Sequence, residues 1–132
     1  MSRIQVGGVG GAPSNNFVRS LRESNRNDYI IGTTSVPSDL FLADAEEKYV
    51  VPSAIELDYS IKILDLISKA KPEFIHLQND YEVRAISRIR NQVQDLGCKL
   101  YLPSIDTIEN CVDKGKSYLI WKADGIPVPE TL

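Results

Sequence analysis

Short β-rich runs alternate with helix-forming stretches along almost the whole chain, and few architectures accept that order. Residues 3–6 read as a buried strand. The glycine-rich turn Gly7-Gly8-Val9-Gly10-Gly11-Ala12-Pro13 follows, then a helix with an apolar stripe of Phe17, Val18 and Leu21, which Ser14 or Asn15 is placed to cap. That helix is expected to end near Ser24-Asn25-Arg26-Asn27. Residues 29–33 form a second strand, 39–45 a short helix and 48–52 a third strand. Residues 58–69 read as a helix with Ile61, Ile63, Leu64, Leu66 and Ile67 at helical spacing, stopped by Pro72. A fourth strand covers 74–77. One long helix covers 80–96 and is closed by Gly97 in a C-cap position. A fifth strand covers 99–102, Ser104 caps a helix to about Cys111, and a last helix covers 113–123. Strands joined through helices pair in parallel, so the predicted fold is a Rossmann-like α/β domain. It has three α/β/α layers and a mostly parallel sheet of about five strands.

Composition narrows the function classes. A chain of 132 residues with 42% hydrophobic and 25% charged residues has the makings of one globular core. A net charge of −3 argues against a nucleic-acid footprint. No apolar run approaches the roughly 18 residues of a membrane span. The strand-like N-terminus has no signal-peptide core, so a cytoplasmic location is expected. Cys98 and Cys111 have no neighbouring His or Cys and read as buried or idle thiols in a reducing compartment. His76 is the single histidine, so Ser-His-Asp and His-rich zinc chemistries have no material, and no metal site is expected.

The glycine loop supports three readings. As a dinucleotide site, Gly8-x-Gly10 is followed by Pro13 where a third glycine would permit close helix packing. The second strand then ends in Gly32-Thr33-Thr34-Ser35 rather than in an acid for ribose hydroxyls, so both refinements fail. As an anion cradle, loop amides and the next helix N-terminus would face a phosphate or carboxylate. As pure structure, the glycines permit a tight strand-to-helix turn. The loop is not a Walker A, since no Gly-Lys-Ser/Thr follows. Parallel strands also bring other polar groups to the same rim: Thr33, Thr34 and Ser35 after the second strand, and His76, Gln78, Asn79, Asp80 and Glu82 around the end of the fourth. Asp80 and Glu82 have the plainer role of favourable charge in a first helical turn. His76 has that of a satisfied strand-end residue.

Taken in order, these segments resemble the N-terminal, pre-ATP-grasp domain of the ATP-grasp superfamily, and most of all its carbamoyl-phosphate-synthase large-subunit-like group. The resemblance rests on Gly7-Gly8-Val9-Gly10-Gly11-Ala12-Pro13 with Asn16-Phe17-Val18-Arg19-Ser20-Leu21-Arg22-Glu23, and on Asp44-Ala45-Glu46-Glu47-Lys48-Tyr49-Val50-Val51-Pro52. It continues through Lys71-Pro72-Glu73-Phe74-Ile75-His76, Leu100-Tyr101-Leu102-Pro103-Ser104, and Asp113-Lys114 with Gly125-Ile126-Pro127-Val128-Pro129-Glu130-Thr131. It implies a pre-ATP-grasp domain over residues 1–112, then the entry helix and first residues of a truncated ATP-grasp domain over 113–132.

The resemblance further implies an ATP-dependent ligase that activates a carboxylate as an acyl phosphate for attack by an amine, thiol or other nucleophile. ATP and magnesium would be held by segments after residue 132, and none is expected on this fragment alone, which would be inactive. The partners implied are the rest of the ATP-grasp chain and a small carboxylate or amine substrate, with no nucleic acid and no membrane, and a homo-oligomer left open. Gly8, Gly10 and Gly11 would form the substrate loop, joined on the rim by Thr33, Thr34, Gln78, Asp80 and Glu82. Lys114 matches a basic residue that contacts nucleotide phosphate, though Lys114 and Lys116 also suit a solvated helix face. Thr34 stands where the family often has Asp. The other reading is a stand-alone Rossmann-like module that binds a small ligand or partner, with a nucleotide-linked oxidoreductase third.

Overall fold

The computed structural model describes residues 1–24 and 26–130. Asn25, in the expected end of the first helix, Thr131, in the last segment of the resemblance, and Leu132, in the expected 113–132 domain, lie outside the described residues. The elements run β1 (Arg3–Gly7), α1 (Ala12–Glu23), β2 (Tyr29–Thr34), a 3-10 turn (Pro37–Phe41), β3 (Glu47–Val50), α2 (Tyr59–Ala70), β4 (Phe74–His76), α3 (Asp80–Arg88), α4 (Arg90–Asp95), β5 (Lys99–Leu100), α5 (Ile105–Val112) and α6 (Lys114–Ala123). The five strands pair in the order β3-β2-β1-β4-β5, every pairing parallel. β1 is central and the order reverses beside it, so the carboxyl ends of β1 and β4 flank a topological switch point.

The period of two along each strand builds two cores. Ile4 and Val6 of β1 and Ile30 of β2 face α1, where Val18 is buried among them with Phe17 and Leu21 alongside. Ile31 of β2 and Ile75 of β4 face the opposite side and pack with Tyr59, Ile63, Leu66 and Ile67 of α2, Ile86 of α3 and Val93 of α4. The result is the three-layer α/β/α arrangement. α5 is fastened to α3 by Glu109, which takes ion pairs from both Arg84 and Arg88. α6 folds back on α5, with the Ser117 hydroxyl donating to the Asn110 carbonyl at 2.7 Å. Among the described residues no helix is long and apolar enough to cross a membrane.

Several local expectations need correcting. The stretch 80–96 is two helices, because Ile89 leaves helical geometry at φ −110° and ψ 18°. The apolar spacing Ile86, Ile89, Val93 continues across the break, so periodicity carries no trace of it. The break lets the chain turn at Gly97 and bring the Lys99 amide to the Glu73 carbonyl at 2.9 Å, which starts β5. Ile61 is 71% exposed, and α2 instead buries Tyr59, Ile63, Leu66, Ile67 and Ala70. The short helix expected over 39–45 is the 3-10 turn at Pro37–Phe41, begun by a proline whose fixed φ suits a first turn. β5 is only two residues long. α1 has Gly11 at its N-cap and no side-chain cap, because Ser14 and Asn15 already lie inside the helix and reach back into the glycine turn.

Candidate ligand site at the carboxyl edge of the sheet

The glycine turn is held rigidly by its own polar groups. The buried Ser14 hydroxyl donates to the Gly7 carbonyl at 2.6 Å and ties the first turn of α1 to the end of β1. It does so beside Pro13, where a dinucleotide motif would use its third glycine. The Gly10 amide donates to Asn15 Oδ1 at 3.2 Å, the Asn15 amide group returns a bond to the Gly10 carbonyl, and the Gly11 amide donates to the Gly8 carbonyl. Gly10 has φ +95°, and a Cβ there would sit 2.3 Å from the Asp39 carbonyl. Gly10 and Gly11 therefore serve the turn, and their amide hydrogens are already committed.

A cavity of about 230 Å³ opens between this turn and the ends of β2, β3 and β4, lined by Gly8, Thr34, Ser35, Asp39, Ser53, Asn79, Tyr81 and Glu82, with Val36, Pro52 and Ala54. Its centrepiece is Glu82 in the first turn of α3, only 6% exposed. Asn79 caps this helix: Asn79 Oδ1 accepts from the Glu82 amide at 2.8 Å, and the Asn79 amide group donates to Glu82 Oε2 at 2.6 Å. Gly7 makes the room, because a Cβ at Gly7 would sit 2.5 Å from Glu82 Oε2. Burial pushes the Glu82 carboxyl up to about 7, and the Asn79 hydrogen bond offsets only part of that. The neighbouring Tyr59 phenol, buried at the start of α2, is also pushed up, first by burial and then by the Glu82 charge.

The structure thus gathers Gly8, Thr34 and Glu82 around one cavity. The other expected rim residues stand elsewhere. Thr33 is buried, its hydroxyl directed to the Val6 carbonyl at 3.4 Å. Gln78 is exposed, its amide nitrogen 2.5 Å from Nε2 of His76, and the His76 ring stacks on Phe17 with centroids 3.5 Å apart on the α1 face. Burial lowers the His76 pKa. Asp80 is exposed in the first turn of α3, outside the cavity wall. Lys114 lies at the α5–α6 corner, its ammonium group donating to the Cys111 carbonyl at 3.4 Å. Asp39, Ser53, Tyr81 and Gly7 were not singled out from sequence. Asn79-x-x-Glu82 carries a readable capping signal, whereas Asp39 arrives on the 3-10 turn and Ser53 on the loop after β3, neither with a periodic pattern.

No protein-family profile and no curated protein sequence matches the chain. Solved structures do. The biotin carboxylase domain of a single-chain bacterial carboxylase superposes with a TM-score of 0.68 at 18% identity, over 99% of this chain and 31% of that one. Glycinamide-RNase-transformylase T from Mycobacterium tuberculosis superposes with a TM-score of 0.63 at 16% identity, over 98% of this chain and 34% of that one. The fold is that of the N-terminal domain of ATP-grasp enzymes. The chain spans about a third of the length of these ATP-grasp structures. A dTDP-glucose 4,6-dehydratase from Bacillus anthracis in complex with NAD also superposes, with a TM-score of 0.55 at 16% identity, over 76% of this chain and 36% of that one. The Rossmann-like layers are shared with it, and the ATP-grasp structures cover more of the chain.

Proposed function

We propose that the chain is the first domain of an ATP-dependent ligase that activates a carboxylate as an acyl phosphate, and that its rim cavity holds a small substrate of that ligase. The observation that carries the reading is the ATP-grasp likeness over essentially the full chain, including the helices after β5. The cavity supports it by its position at the switch point, where open α/β sheets place ligands. The glycine-turn and 71–76 segments favour a carbamoyl-phosphate-synthase-like member of the superfamily.

The chain's own residues do not fit ATP and magnesium. The cavity wall carries no Lys or Arg to meet a triphosphate. Among the described residues no group of three or more His, Cys, Asp or Glu could hold a metal ion. Nucleotide chemistry in this reading belongs to other segments of the ligase, with Lys114 the basic side chain that the resemblance assigns to phosphate. The chain contributes a fixed glycine turn, a buried carboxyl at Glu82 and a shaped rim that positions substrate. A dinucleotide is disfavoured by Pro13 in the turn and by the hydroxyl residues Thr34 and Ser35 where an acid would meet ribose.

Phosphate release from ATP by the protein that carries this domain, assayed with a panel of amino acids and other carboxylates, tests the reading. Release that depends on one carboxylate and one nucleophile is the expected result. No substrate-dependent release across the panel, together with saturable NAD binding by the chain, would overturn it.

A further inference from the structure

Resting on the reading of the rim cavity as a substrate site, we propose that its ligand is a small molecule bearing a free ammonium group, and that Glu82 selects it against phosphates and carboxylates. The charged side chains in the wall are Glu82 and Asp39, both acidic. Glu82 Oε2 is occupied by Asn79, whereas Oε1 accepts no hydrogen bond from the described residues and retains accessible surface. A carboxylate 6% exposed with one oxygen left open is an acceptor waiting for a donor. An ammonium group brings three donors and no acceptor. The hydroxyls of Ser35 and Ser53 supply further acceptors beside the two carboxylates.

Three of the amides that would favour an anion are spent. The Gly10 and Gly11 amides at the start of α1 bond within the turn, and the Glu82 amide at the start of α3 bonds to Asn79. A phosphate would meet two carboxylates without these donors. The groups facing Glu82 are Asp39 from the 3-10 turn, Tyr59 from α2 and Tyr81 from its own helix; none is cationic. With its carboxyl held near 7 by burial, Glu82 gains or loses its proton around neutrality. Ammonium uptake then requires the ionised form and strengthens as pH rises.

The test is an amide NMR titration of the 132-residue chain with ethanolamine, acetate, inorganic phosphate and glycerol in turn. Ethanolamine is expected to shift the Gly8 and Glu82 amides saturably, with affinity rising roughly tenfold from pH 6 to pH 8, as ionisation of a group near 7 dictates. The variant Glu82→Gln keeps the shape and the Asn79 contact, so it should retain the wild-type spectrum and lose the ethanolamine response. Saturable shifts from phosphate, acetate or glycerol with none from ethanolamine would sink the ammonium assignment and leave the cavity a ligand site. So would ethanolamine binding that survives Glu82→Gln. No saturable shift with any probe would remove both this inference and the substrate-site reading beneath it.

Discussion

Glu82 shows how a single residue comes to carry the site. In a first helical turn an acid is ordinarily a solvated partner of the helix dipole, and Asp80, two residues earlier, remains one. Glu82 differs because the missing side chain at Gly7 opens a slot that its carboxyl fills. Its raised pKa links it to stability. Between its ordinary 4.5 and about 7, the folded chain holds a proton that the unfolded chain has released. Stability therefore falls across that interval, by about 3 kcal/mol in all, and levels off above it. Glu82→Gln removes the titration while keeping the Asn79 contact. The variant should melt higher than wild type at pH 8 and close to it at pH 4.5; an equal difference at both pH values would mean that burial does not hold the proton.

At the scale of elements, helix ends decide where the chain turns. α2 ends at Lys71 in the left-handed region, φ 49° and ψ 56°, with Pro72 behind it blocking continuation. A residue with a Cβ is strained there, and the Lys71 amide already serves the end of the helix by donating to the Ile67 carbonyl at 2.9 Å. Lys71→Gly keeps that bond and relieves the strain, so it should raise stability by about 1 kcal/mol in urea denaturation, after allowing for the greater freedom of glycine in the unfolded chain. A loss of stability would show that the lysine side chain contributes more than its backbone costs. The break at Ile89 is the opposite case. It has no proline or glycine to announce it, and it persists because Val93, fully buried, and the turn at Gly97 are held by the core and by the start of β5.

For the molecule as a whole, the amino end of the sheet is tied by contacts remote in sequence, opposite the rim that carries the cavity. Arg3 donates to Glu47 at 2.8 Å and to the Ala70 carbonyl at 3.0 Å, lies 4.4 Å over the Tyr29 ring, and offers its own amide to Glu73. One side chain thereby joins the starts of β1, β2 and β3 to the end of α2. Tyr49 completes the set by donating to the other Glu47 oxygen at 2.6 Å. The edge strand β3 is mostly exposed and pairs on one side only, so it depends on this tie. Arg3→Met, which keeps the stem and removes the guanidinium, should cost about 2 kcal/mol and speed hydrogen exchange in β3 first. Uniform exchange across the sheet would assign the loss to general packing instead.

The alternation of apolar strands with amphipathic helices was enough to determine a parallel three-layer sheet, because a strand buried on both faces and a one-sided helical stripe have few other partners. The glycine turn after β1 was equally legible, since only glycine reaches the backbone angles of Gly8 and Gly10 without strain. What the turn does was not legible. Asn15 and Ser14 consume its donors through side chains whose reach depends on how α1 docks. Gln78 and Asp80 lay near Glu82 in sequence, yet only Glu82 entered the cavity, because α3 presents one face inward and Gly7 leaves space for one carboxyl. Asp39 joined from the 3-10 turn and Ser53 from the loop after β3, segments too short to carry a period. Residue order determined the layers through hydrophobic burial, which is local and repetitive. Tertiary structure alone decided the chemistry of the rim, because desolvation and hydrogen-bond pairing depend on which groups from distant segments meet.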